Sequence, residues 1–185
     1  RYRRIDYLKE TVRLGGGLDA NGYLTEAAAQ RGLDCLRQFA ARLQGFEASQ
    51  VRAVATQTLR EARNRDAFLV RAEAALGQPV EVISGREEAR LIYAGVSFLQ
   101  PGPAERLVVD IGGRSTEMIL GQGRQARVVE SFKVGSVSLS MRWFPDGQFT
   151  EQRFRDAKVA AGAELEEALT LFAPHLWQEA LGSSG

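Results

Sequence analysis

The stretch Val108-Val-Asp-Ile-Gly-Gly-Arg-Ser-Thr-Glu-Met-Ile-Leu-Gly121 decides how this chain is read. An apolar run ends on an acid, Asp110, two glycines follow, then a Ser-Thr pair, and a second apolar run begins. The pattern predicts a strand, a tight turn and a returning antiparallel strand. Such a turn aims backbone N–H groups into one concavity, which suits an oxyanion. Asp110 at the strand end repels a phosphate but can hold the cation that accompanies one. On the returning strand, Glu117 shares a face with Ile119 and opposes Thr116, Met118 and Leu120. An acid between apolar neighbours on a central strand is costly unless it has a task. The residues alone describe a plain hairpin with a Gly-Gly corner equally well.

Composition narrows what the anion site can serve. The 185 residues are 44% hydrophobic and 25% charged with a net charge of +1, as in an ordinary globular protein. No global field recruits nucleic acid or a membrane surface, so anion binding must be local. One cysteine, Cys35, excludes an internal disulfide framework and suggests a reducing compartment. No apolar run approaches the ~20 residues of a membrane span, and no signal peptide is visible. The expectation is a cytoplasmic protein with no integral membrane segment and no nucleic-acid partner. It begins at Arg1 without a methionine and stops at Gly182-Ser-Ser-Gly185, so the chain reads as cut. The small residues at its end fit either a vector scar or a native loop.

Outward from the turn, the N-terminal half alternates helix and strand. Thr25 is a predicted N-cap for a helix carrying Leu33, Leu36, Ala40 and Leu43, ended by Gly45. Residues 51–55 alternate like a strand. Asp66 is read as the cap of a second helix that closes at Gly77, and residues 80–83 as the next strand. Ser84 opens a third helix bearing Leu91, Ile92, Val96 and Leu99. This alternation predicts an α/β layer architecture. Pro101-Gly102-Pro103 breaks it, and a three-strand meander follows over 107–111, 116–120 and 127–132. A short helix after Ser136, one long helix from Thr150 to about Phe172 and a last strand over 176–181 complete the reading. The change of pattern sets a domain seam near 93–104, with domains 1–93 and 94–185.

Three further groups carry chemistry. In Ile83-Ser-Gly-Arg-Glu-Glu-Ala-Arg90, Ser84 and Glu87 have capping-box spacing, which gives Glu87 a structural role. Glu88 heads the apolar stripe through Leu91 and Ile92, and partial burial would strengthen it as a base. An exposed first-turn acid favoured by the helix dipole is the alternative. Arg60, at a helix start after a strand, offers a planar multi-donor to phosphate. The tail Gly182, Ser183 and Ser184 follows a strand and could form a second phosphate nest.

Val109-Asp-Ile-Gly-Gly-Arg-Ser-Thr-Glu117, Ile83-Ser-Gly-Arg-Glu-Glu-Ala-Arg-Leu-Ile92 and Ala55-Thr-Gln-Thr-Leu-Arg60 together resemble the exopolyphosphatase/guanosine pentaphosphate phosphatase motifs. The resemblance covers about Leu14 to Gly185, and Gly135-Ser-Val-Ser138 and Phe144-Pro-Asp-Gly147 look closer to the exopolyphosphatase branch. It implies two ribonuclease-H-like domains of the actin/sugar-kinase-like superfamily, both incomplete here. It also implies hydrolysis of a terminal phosphoanhydride of polyphosphate or guanosine pentaphosphate with Mg²⁺, and allows a homodimer in the full-length form. Carried over, Glu88 is the base, and Asp110 and Glu117 handle the metal and the lytic water. Gly112, Gly113, Ser115 and Thr116 cradle phosphate with Arg60, and Gly182 to Gly185 match a native small-residue turn.

Two departures follow from the same comparison. The family turn has a small residue where this chain has Arg114, which is strained if that position needs a positive φ and otherwise adds a charge. The family's opening phosphate loop should precede Arg1, so this piece alone is expected to be poorly active. A non-catalytic phosphate or alarmone sensor is the alternative of a different class.

Overall fold

The computed structural model describes residues 5–183. They form two compact units that divide between Val82 and Ile83. In the first, the Thr25 side chain accepts the Ala28 N–H and opens α1 (Glu26–Arg42). Ala28, Ala29 and Leu33 pack on Phe68 and Ala72 of α3 (Arg65–Leu76), and Leu59 and Ala62 fill the same core. A 3₁₀ turn over Leu14–Gly17 lies so close to α1 that a Cβ on Gly17 would sit 2.2 Å from the Ala28 Cβ. Strands β1 (Ala53–Ala55) and β2 (Val80–Val82) pair in parallel, with α2 (Gln57–Glu61) between β1 and α3 in sequence. The cap read at Asp66 shifts: α3 begins at Arg65, and Asp66 sits in its first turn. Asn64 precedes it and exchanges two hydrogen bonds with the Leu24 backbone, at 2.8 and 2.9 Å.

The second unit is a four-stranded sheet of order β5-β4-β3-β6. β3 (Glu105–Ile111), β4 (Thr116–Gln122) and β5 (Gln125–Phe132) form the expected meander, and β6 (Glu179–Ser183) adds parallel to β3. Buried Arg106 on β3 ties β6 in through Glu179 at 2.6 Å.

Each face of the sheet buries a different set. Leu107, Leu120, Phe132, Val109, Met118 and Val128 meet Ala168 and Phe172 on one side. On the other, Val108 and Ile119, both fully buried, meet Ala89 and Tyr93 of α4 (Gly85–Leu99). That packing assigns α4 to the second unit, so the boundary falls before the seam read at 93–104. A helix whose apolar stripe covers a sheet belongs with that sheet, whatever the punctuation after it.

The long helix read from Thr150 also changes. α6 (Glu151–Glu164) ends near Leu165, and a separate short α7 (Ala168–Leu171) follows. The break turns Ala168 and Phe172 inward and leaves Leu169 exposed, where an unbroken stripe would have buried it. α5 (Ser136–Trp143) precedes them, and Asp146, in the turn between α5 and α6, is paired with Arg153. Among the described residues no helix is long and apolar enough to cross a membrane.

Two measurements test this packing. A Cβ on Gly121 would lie 2.3 Å from Tyr93 Cζ and 2.5 Å from the Gln125 carbonyl oxygen. Gly121→Ala should therefore cost about 1–3 kcal/mol in urea unfolding, and an unchanged midpoint would contradict the close seat of α4 on the sheet. Arg153 first, then the Gln148 N–H, hold the Asp146 carboxyl below its ordinary range. A depressed carboxylate stabilises the fold above its unfolded pKa and loses that contribution as pH falls through the folded one. Asp146→Asn should lower the melting temperature slightly at neutral pH, with the gap to wild type closing in acid.

Candidate phosphate and metal site

Strand register sets four polar residues in one row. Glu117 pairs with Asp110 on β3 and Ser131 on β5, and Asp110 pairs with Ser183 on β6. Cross-strand partners share a face, so Ser131, Glu117, Asp110 and Ser183 lie side by side on the face that α4 covers. The adjoining row on that face is Val129, Ile119, Val108 and Leu181, all in the core beneath α4. Glu117 is only 2% exposed, and the Ser131 hydroxyl donates to its Oε1 at 2.7 Å. A buried carboxylate needs such a donor to offset its lost hydration.

α4 brings Glu88 to the same end of the sheet. Ser84 Oγ accepts the Glu87 N–H at 3.1 Å, and the Glu87 carboxylate takes Arg90 through two 2.8 Å bonds. Glu88 is half-buried and stands one turn before Ile92, which packs in the core under the helix. Two contacts give the direction of the helix. Arg86 in its first turn reaches Glu130, next to Ser131, at 2.7 Å. The Tyr93 hydroxyl, further along, donates to the Gly123 carbonyl at 3.3 Å, at the opposite end of β5. The N-terminus of α4 therefore lies toward the polar row.

The turn between β3 and β4 closes with the Gly112 N–H donating to the Ser115 carbonyl at 2.9 Å. The N-terminus of α5 grips it from outside. The Ser136 N–H donates to the Gly112 carbonyl at 3.0 Å, and Val137 and Ser138 donate to the Gly113 carbonyl at 2.8 and 3.0 Å. In trans peptides the N–H points opposite to the C=O, so the N–H groups of Gly113 and Arg114 face away from α5. That is the orientation an oxyanion cradle requires. Gly135 makes the grip possible, since a Cβ there would lie 2.5 Å from the Arg114 nitrogen. Arg114 is half-buried, and Arg13 alone among the described non-glycine residues has a positive φ, so arginine is unstrained in this turn.

The other sequence-predicted residues divide. Ser115 is buried in the turn. Thr116 lies on the opposite face from Glu117, and its hydroxyl donates to the Val134 carbonyl at 2.7 Å, so its side chain anchors the turn from beneath. Ser183 joins the polar row, whereas Gly182 pairs with Val109 and is exposed, with open space where a Cβ would stand. Ser184 lies outside the described residues. Arg60 belongs to the first unit, where its Nε and Nη2 donate to Gln57 Oε1 at 2.9 and 2.7 Å. Ser131 and Gly135 had no part in the predicted site. Strand alternation puts Ser131 on the face opposite Phe132, with Val129, but only the register sets it against Glu117.

Adjacent hard oxygen donors on Asp110 and Glu117 fit Mg²⁺, which binds through one or two carboxylates and completes its shell with phosphate oxygens and water. Among the described residues no group of three or more His, Cys, Asp or Glu side chains could hold a metal ion.

Comparison with known proteins bears on the whole chain. The family model described as Ppx/GppA phosphatase family matches residues 3–185. The chain belongs to the Ppx/GppA phosphatase family. A solved exopolyphosphatase-like protein is 30% identical with a TM-score of 0.88, over 95% of this chain and 56% of that one. The exopolyphosphatase from Cytophaga hutchinsonii is 29% identical with a TM-score of 0.76, over 94% of this chain and 56% of that one. The Ppx/GppA enzyme of Aquifex aeolicus is 30% identical with a TM-score of 0.72, over 95% of this chain and 57% of that one. The chain thus spans little more than half the length of these Ppx/GppA relatives. The α/β class holds, since each unit combines strands with helices.

A substitution separates the two roles of the Ser-Thr pair. Thr116→Val keeps the volume but leaves the Val134 carbonyl unpaired in the interior, and should cost about 1–3 kcal/mol by chemical denaturation. A loss below a few tenths would mean that the hydroxyl does not anchor the turn.

Proposed function

We propose that the protein is a phosphohydrolase that releases terminal orthophosphate from inorganic polyphosphate by water attack on a phosphoanhydride. The observation that supports this reading is the row of two carboxylates and two hydroxyls beneath α4, with Glu88 in the first turn of that helix. Family membership adds that this arrangement sits in a phosphatase scaffold.

In this reading Glu88 accepts the proton of the attacking water, and its partial burial limits competition from bulk solvent. The N–H groups of Gly113 and Arg114 meet the equatorial oxygens of the terminal phosphate. They are fixed before substrate arrives, because α5 already holds their peptides in place. Asp110 and Glu117 would hold Mg²⁺, which when bound supplies positive charge against the phosphate oxygens. Ser115 and Thr116 keep the turn in shape, and Arg60 is retained as a phosphate contact on the strength of its motif. Little covalent chemistry falls to the protein in such a transfer, and rigid positioning is the main contribution.

Glu88→Gln should lower the rate of phosphate release by about 10²–10⁴-fold while the circular dichroism spectrum and polyphosphate binding are retained. Full turnover in that variant would remove Glu88 from its role. Release followed side by side on long-chain polyphosphate and guanosine pentaphosphate should favour polyphosphate. Release from guanosine pentaphosphate alone would move the substrate assignment, and retained binding without release from either would replace the enzyme by a sensor.

A further inference from the structure

We propose that Ser131 is a positioning residue for the metal site: its hydroxyl fixes the Glu117 carboxylate in the orientation that lets Glu117 and Asp110 act on one ion. The inference rests on the reading of Asp110 and Glu117 as metal ligands and assigns a residue that lies outside all three sequence motifs.

Glu117 is nearly sealed from solvent, at 2% exposure, so water cannot orient it. Its immediate strand neighbours Thr116 and Met118 point to the other face, and Ile119, the next residue on its own face, is apolar and fully buried. Across the β4–β5 ladder its direct partner is Ser131, whose Oγ stands 2.7 Å from Oε1. A hydroxyl has one proton to give. Donated to Oε1, it pins one oxygen toward β5, and the planar carboxylate then has its second oxygen set by geometry. On the side away from Ser131, the direct partner of Glu117 is Asp110. The row therefore runs donor, carboxylate, carboxylate, with the hydroxyl at the outer end.

β5 is the edge strand, and three features hold Ser131 in place there. Thr116 pairs with Phe132, which is buried against Phe172. Glu130, on the other side of Ser131, is tied to Arg86 of α4. The Val134 carbonyl, three residues on, receives the Thr116 hydroxyl. Partners of this kind, which orient a ligand without touching the ion, typically change metal affinity about 10–100-fold when removed.

The test is titration of Mn²⁺ alone into the full chain, with the unbound ion followed by electron paramagnetic resonance. Wild type should bind in a manner that Asp110→Asn abolishes. Ser131→Ala should weaken Mn²⁺ binding about 10–100-fold, and Ser131→Thr, which keeps the hydroxyl, should restore most of it. In turnover, Ser131→Ala should raise the half-saturating Mg²⁺ concentration while the rate at saturating Mg²⁺ recovers, a split that loss of packing would not produce. If Ser131→Ala fails to fold, Ser131→Cys replaces it, with a similar volume and a weak donor. Wild-type Mn²⁺ affinity in Ser131→Ala or Ser131→Cys, beside a sensitive Asp110→Asn, would overturn the role of Ser131 alone. A Ser131→Thr defect as large as that of the alanine variant would overturn it too. Absence of Asp110-dependent binding in wild type would remove the metal reading itself, and this inference with it.

Discussion

The seat of α4 on the central strands β3 and β4 is the contact from which the second unit takes its order. Ala89, Val108 and Ile119 are fully buried there, and the Tyr93 ring lies over Gly121, where no side chain could fit. Interiors packed this closely do not slide. A shift of α4 by one residue would drive Tyr93 into the turn of β4 and β5 and carry Glu88 away from the polar row. The apolar half of that face thus fixes the location of the polar half. Hydrophobic burial sets the position, and the hydrogen bonds then refine it within an ångström or so.

The same division explains how a carboxylate comes to be nearly inaccessible. Glu117 stands at the border between the row under α4 and the row that faces the turn. Its position is imposed by the alternation of β4, because reversing the strand would carry Met118 and Leu120 under α4 and Glu117 into the apolar core on the other face. Among the described residues the Ser131 hydroxyl, donating at 2.7 Å, offsets part of the cost of holding it inside. A site built this way tolerates little slack, which matches a task that consists of holding charges at set distances.

Much of this was legible from the residues. Alternation around Thr116-Glu-Met-Ile-Leu120 set the faces correctly, and the turn, the meander and the capped start of α4 are local signals that the chain carries in short segments. The break between α6 and α7 was not legible, because Leu165, Leu169 and Phe172 fit an unbroken helical stripe and only tertiary packing selects Ala168 in place of Leu169. The two contact units divide before α4 and not near 93–104, for a related reason. Pro101-Gly102-Pro103 is strong punctuation, yet which sheet α4 covers depends on long-range contacts. Asn64, read past in favour of Asp66, is held by Leu24, forty residues away in sequence. Ser131 escaped notice because a serine on a strand has no motif, and its partner is set by register alone.

The grip of α5 on the turn has an electrical side as well as a mechanical one. The first N–H groups of a helix carry its partial positive charge, and here they end on the carbonyls of Gly112 and Gly113. Each carbonyl belongs to a peptide whose N–H looks out the other way. Hydrogen bonds in series polarise one another, so the peptide groups of the turn act as an extra layer added to the helix. The positive end of α5 is thereby displaced beyond its own first residue and presented by Gly113 and Arg114. The turn relays the helix field through peptides that at Gly112 and Gly113 carry no side chain, with the Arg114 side chain beside them.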